Sequence, residues 1–222
     1  MKKAVSKAPL TAILLLGLLV ASSLTTSAQT SPLYKNKNLP LETRVQDLLR
    51  QMTPEEKFWQ LFMIPGDLDK ADTAQYKNGL FGFQVSAGSR GDAGGQMLQY
   101  HTNEPAAALA KKINAIQRYF VENTRLGIPI IPFDEALHGL VREGGSAFPQ
   151  SIALAATWDT ALMTRAAGAI AIETRQRGIR QILSPVVNIA SDVRWGRTEE
   201  TYGEDPFLAS AMGVCFVKAF ET

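Results

Sequence analysis

From residue 79 onward the chain alternates short apolar runs with longer amphipathic ones, and this rhythm constrains the fold more than any other feature. Gly79 to Val85, bounded by glycine, reads as a strand, and Glu104 to Asn123 follows as a helix with Ala107, Leu109, Ile113, Ile116 and Phe120 on one face. Leu126 to Phe133 reads as a second strand. Asp159 then caps a helix through about Arg177, ending near Gly178, and Gln181 to Ile189 is the next strand. Asp205 and Pro206 suit the N-cap and first position of a last helix reaching about Ala219. Strand and helix in this order fit parallel βα units, of a doubly wound sheet or of a (β/α)8 barrel, and periodicity does not separate the two.

Before this region, Leu41, Val45, Leu48 and Leu49 stand at helical spacing. Thr53-Pro54-Glu55-Glu56 looks like a second helix start, with Thr53 and Glu56 as a reciprocal capping box. Ser86 to Gln96 is Gly-rich but has neither a Gly-Lys-Ser/Thr ending nor a G-x-G-x-x-G spacing, so it is expected to be a mobile surface loop rather than a phosphate cradle.

Residues 1–28 belong to a different account. Lys2, Lys3 and Lys7 precede the apolar run Leu10 to Val20, and Thr26-Ser27-Ala28 offers small residues for cleavage, the pattern of a secretory signal peptide. An uncleaved anchor is the alternative; after cleavage no stable membrane association is expected. A Ser/Pro/Asn/Lys-rich spacer, 29–40, follows. Loss of the three leader lysines turns the formal net charge from +2 to −1, which removes the electrostatic case for a nucleic-acid partner. Cys215 is the only cysteine, so an internal disulfide is excluded. It falls among Phe207, Met212 and Phe216 and is expected to be a small buried hydrophobe. The product is expected to be exported, to a bacterial periplasm or beyond.

The densest chemistry lies between Arg194 and Pro206, where Arg194 and Arg197 stand among Glu199, Glu200, Glu204 and Asp205 with Trp195 and Tyr202. Guanidinium forks and flat rings suit a hydroxyl-rich or anionic ligand. A turn in which the glutamates neutralise the two arginines is the alternative reading. Asp134, Glu135, His138 and Arg142 follow the strand ending at Phe133. Glu135 reads as an acid, a base or an acceptor for hydroxyls, or as the partner of Arg142 or Arg197. His138 reads as a proton shuttle or as a hydrogen-bonded structural residue. With His101 as the only other histidine, no metal cluster is expected.

Three stretches, Phe133 to Gly139, Phe148 to Asp159 and Arg194 to Pro206, taken in order, resemble the N-terminal barrel of family 3 glycoside hydrolases, the β-glucosidase and β-xylosidase family. The resemblance runs from about Leu41 to Thr222. It implies the first, incomplete part of a (β/α)8 TIM-like barrel over 41–222, in a retaining exo-β-glycosidase that needs no cofactor and acts on a small carbohydrate. Glu135 and Arg197 are then the residues that hold sugar hydroxyls in the innermost subsite, with Arg142 and His138 as further substrate-binding candidates and Arg194 bracing its loop through the acids. Ser191-Asp192 has the look of the family's nucleophile motif but stands too early, so Asp192 is expected to be a turn residue. Nucleophile and acid/base are expected beyond Thr222, leaving these residues inactive alone. A non-catalytic sugar-binding or scaffold remnant is the competing reading, and an N-acetylhexosaminidase stays open within the family. No residue pattern specifies an oligomeric state.

Overall fold

The computed structural model describes residues 31–66, 68, 73–88, 99–100 and 102–222. The expected leader, His101 and most of the Gly-rich loop, with its expected mobility, lie outside them. The chain divides into two units, the first ending at Gln51. The described part of the first unit is a 3-10 turn, Leu33–Lys35, and helix α1, Leu41–Gln51. Side chains of α1 hold the turn: Asp47 accepts from Tyr34 N at 3.0 Å and Arg44 Nε donates to Tyr34 O at 2.9 Å.

In the second unit, helix α2, Pro54–Trp59, starts at the expected box, with Glu56 N donating to Thr53 Oγ1 at 3.2 Å and Thr53 N to Glu56 Oε2 at 2.8 Å. Glu56 is buried and also accepts from Arg125 Nε at 2.9 Å. Arg125, and then Thr53, hold the Glu56 carboxyl below the ordinary glutamate range against the opposing pull of burial. A depressed folded-state pKa contributes stability above the unfolded value of about 4.3, and that contribution is lost as pH falls through the folded value. Glu56→Gln is therefore expected to flatten the acid limb of the stability profile, measured as urea midpoints from pH 7 to pH 3. A variant that lost stability as steeply as the wild type would assign that limb to other groups.

The strands are β1 Met63–Pro65, β2 Gly82–Gln84, β3 Ala87–Gly88, β4 Gln99–Tyr100, β5 Ile131–Asp134 and β6 Gln181–Ile182. β1, β2, β5 and β6 form one parallel sheet in that order, with Met63 opposite Gly82, Gly82 opposite Ile131 and Phe133 opposite Gln181. β3 and β4 pair separately as a short antiparallel ladder. Chain order equals spatial order across the parallel sheet, as in a barrel and unlike the reversal at the centre of a doubly wound sheet. The fold is the first part of a TIM-like α/β barrel.

The helices behind this sheet are α3 Ala106–Asn123, α4 Ser151–Ala155, α5 Thr160–Gln176 and α6 Pro206–Glu221. Asp159 caps α5 by accepting from Leu162 N, and Asp205 caps α6 by accepting from Phe207 N and Leu208 N. Leu109, Ile113, Ile116 and Phe120 of α3 pack with Leu80, Phe83, Val85 and Tyr76 into one core. Met163 and Ala167 of α5 pack with Tyr202, Met212 and Phe216 into a second.

Several expectations change: the strands expected over Gly79 to Val85 and Leu126 to Phe133 shorten to β2 and β5, and β3 forms inside the expected loop. β6 has two residues instead of the run Gln181 to Ile189, because Pro185 has no N–H for a ladder. β1 and α4 form where no element was expected. Cys215 is half-buried at the margin of the second core rather than fully inside it.

Candidate functional site

Working side chains of a barrel stand at the C-terminal ends of its strands. Here those ends bring together Ser86, two residues past β2, Asp134 at the close of β5 with Glu135 after it, and Ser184, two residues past β6. Asp134 is 1% exposed and is the hub. Its Oδ1 accepts from Ser86 Oγ at 2.5 Å and from Glu135 N at 2.9 Å, and its Oδ2 accepts from Arg142 Nη2. Arg142 Nη1 donates to Val141 O at 2.7 Å, and the Arg142 side chain is 2% exposed. Burying two charges costs several kcal/mol per ion, offset only when the carboxylate and guanidinium are well supplied with bonds. The Asp134 carboxylate meets that condition with three donors.

Glu135 is the opposite case. It is exposed, and among the described residues its carboxylate has no hydrogen-bond or ion-pair partner. The next peptide is anchored, since Ala136 N donates to Ser184 Oγ at 3.3 Å.

Arg197 lies on the long loop after β6. Asp192 caps a 3-10 turn, Val193–Trp195, as the turn residue expected of it. Gly196 then reverses the chain at φ +86°, and a second 3-10 turn, Thr198–Glu200, follows. Arg197 Nε donates to Glu200 Oε1 at 3.0 Å and Nη2 to Oε2 at 2.5 Å, while its guanidinium lies 5.8 Å from the centre of the Trp195 ring. The bond to Glu200 raises the Arg197 pKa above its ordinary value, and the charges of Glu135 and Glu199 act in the same direction. The charge of Glu135 thus favours the Arg197 cation, but less than that of Glu200 does. The Arg197 side chain is 55% exposed, so solvent screens that attraction and leaves the fork accessible.

The remaining expected site residues are placed differently. Arg142, expected to reach sugar, is turned inward onto Asp134. His138 is half-buried, and its backbone carbonyl accepts from Phe148 N at 2.7 Å, where the chain folds back after Gly139. Arg194 pairs with Asp192, its Nε 2.9 and 3.1 Å from the two carboxylate oxygens, rather than with Glu199, Glu200 or Glu204. The loop that carries Arg142 is braced on α5: Ser146 N and Oγ both donate to Glu173, and Arg177 Nη2 donates to Glu143 O at 2.6 Å. A groove of about 760 Å³ lies between α5, β6 and the end of α6, lined by Ile172, Ile182 and Phe220 together with Arg175, Arg180 and Glu221, and none of Glu135, His138, Arg142 or Arg197 lines it.

An unpaired carboxylate, and a half-exposed guanidinium beside an indole, can each hold a hydroxyl, one donating to the acid and one accepting from the arginine. The sequence reading ranked Asp134 behind Glu135 and passed over Ser86. The available signal was an aspartate closing an apolar strand, with an arginine eight residues on.

Residues 53–222 match the family described as the glycosyl hydrolase family 3 N terminal domain. The chain belongs to this family. It is 40% identical over 119 residues to a β-xylosidase of Formosa agariphila, covering 51% of this chain and 16% of that protein. It is 32% identical over 201 residues to β-glucosidase C of Emericella nidulans, covering 86% and 31%. Among solved structures, a β-glucosidase of Erythrobacter marinus superposes with a TM-score of 0.70 at 29% identity, covering 86% of this chain and 24% of that one. A β-glucosidase of Listeria innocua, solved with glucose, gives 0.63 at 25% identity, covering 81% and 24%. This family 3 chain spans less than a third of the length of these relatives.

Proposed function

We propose that the chain is the sugar-holding part of a retaining exo-β-glycosidase that releases terminal β-linked glucose or xylose from oligosaccharides or glycosides. The observation that carries the reading is the exposed Glu135 carboxylate at the strand ends, without a hydrogen-bond or ion-pair partner among the described residues. The β-glucosidases and β-xylosidase among its relatives support the substrate class. Glu135 and Arg197 hold hydroxyls of the innermost sugar, and Trp195 supplies an apolar flank.

Retaining hydrolysis needs two working carboxylates about 5–5.5 Å apart, one to attack the anomeric carbon and one to protonate the leaving oxygen. Asp134 is saturated by three donors and Glu200 is bound to Arg197, so neither is available for attack. On the family resemblance, these 222 residues are expected to bind sugar without cleaving it. Incubation with 4-nitrophenyl β-xyloside and β-glucoside should release no more nitrophenol than a Glu135→Gln control. Release by the wild type above that control would place the catalytic pair inside this chain and overturn the assignment.

A further inference from the structure

We propose that Asp134, Ser86 and Arg142 are positioning residues that fix the direction in which Glu135 presents its carboxylate. The functional meaning rests on the sugar-holding reading of Glu135, but the geometry can be tested without sugar. Glu135 is the first residue beyond β5, where the ladder no longer restrains the chain. Its own amide is nevertheless tied to Asp134 Oδ1 at 2.9 Å.

A bond from a residue to the side chain of its immediate neighbour restrains the backbone only if that side chain is itself held. Asp134 is held from two sides: Ser86 Oγ, rooted at the end of β2, fixes Oδ1 at 2.5 Å, and Arg142 takes Oδ2. Arg142 arrives on the loop braced to Glu173 and Arg177. The following peptide is tied to Ser184 past β6. The two peptides flanking Glu135 are thus bonded to side chains at the ends of β5 and β6, and the first of these side chains is held in turn by Ser86 at the end of β2. Stability alone is a poor account of the buried pair, because apolar side chains of similar volume commonly serve a fold as well. What they cannot supply is an acceptor for the Glu135 amide.

The paired variant Asp134→Leu/Arg142→Met removes the acceptor and both charges together, leaving no unpaired buried ion. In the 222-residue chain without sugar, amide hydrogen exchange at Glu135 should accelerate roughly tenfold while that of Leu109 and Ile170 stays unchanged. Asp134→Asn/Arg142→Met keeps an acceptor oxygen without the ion pair and should restore most of the protection. Ser86→Ala, which disturbs no charge, should accelerate Glu135 exchange a few-fold and serves as the test if the first variant does not fold.

Xylose and glucose affinities, read by calorimetry on the same proteins, should fall with the loss of protection. Wild-type protection of Glu135 in the Leu/Met variant, or in Ser86→Ala where Leu/Met does not fold, overturns the proposal. If the wild type binds neither sugar while the exchange changes occur as stated, the sugar reading fails and the positioning role stands.

Discussion

Gly82→Ala is expected to destabilise the chain by about 3 kcal/mol or more, the upper end for overpacking. An added Cβ would stand 2.2 Å from the carbonyl oxygen of Ile131 and 3.3 Å from Phe133 Cδ1. The first of these is backbone of the partner strand, in register with Gly82 in the parallel sheet, so the clash is relieved only by prising β2 from β5. Those two strands carry Phe83 into the main core and Asp134 to the site, so both should suffer. Gly168→Ala is the contrast. It lies in α5 with nothing within 4 Å of the new methyl, and should gain about 0.4–1 kcal/mol by restricting the unfolded chain. Urea unfolding of both variants measures the pair. A Gly82→Ala protein as stable as the wild type would contradict the β2–β5 register.

Glu135→Ala is expected to weaken xylose or glucose binding by about 1.5–3 kcal/mol, roughly tenfold to hundredfold, the usual loss when a hydrogen bond to a charged group is removed. Because the carboxylate is exposed and unpaired among the described residues, folding stability should change by less than about 0.5 kcal/mol. Arg197→Ala should cost less affinity, since its Nε and Nη2 are already committed to Glu200 and its side chain is half in solvent. Calorimetric titration of the wild type and the two variants checks the order. A large loss for Arg197→Ala with none for Glu135→Ala would remove Glu135 from the clamp.

The caps of α2, α5 and α6 were legible in the sequence because Thr53, Asp159 and Asp205 act on amides two or three residues away. The apolar face of α3 was legible for a similar reason, as its period is written within a few turns. β1 was not, since Met63–Pro65 is too short to display alternation and exists through its pairing with β2. The long run after Gln181 misled because its apolar content suggested a strand while Pro185 limited the ladder. At the site, the motif wording led to Glu135 and Arg197, but the Asp134 network depends on Ser86, 48 residues away, and on an arginine folded back by an irregular loop. No local pattern announces such a convergence.

The most direct test is an amide-resolved NMR titration of the chain with xylose and with glucose. Saturable shifts should appear at Glu135, Ala136 and the Arg197 Nε–H, and should vanish in Glu135→Ala. Saturable shifts confined to the groove lined by Ile172, Ile182 and Phe220, or none with either sugar, would contradict a sugar clamp at the strand ends.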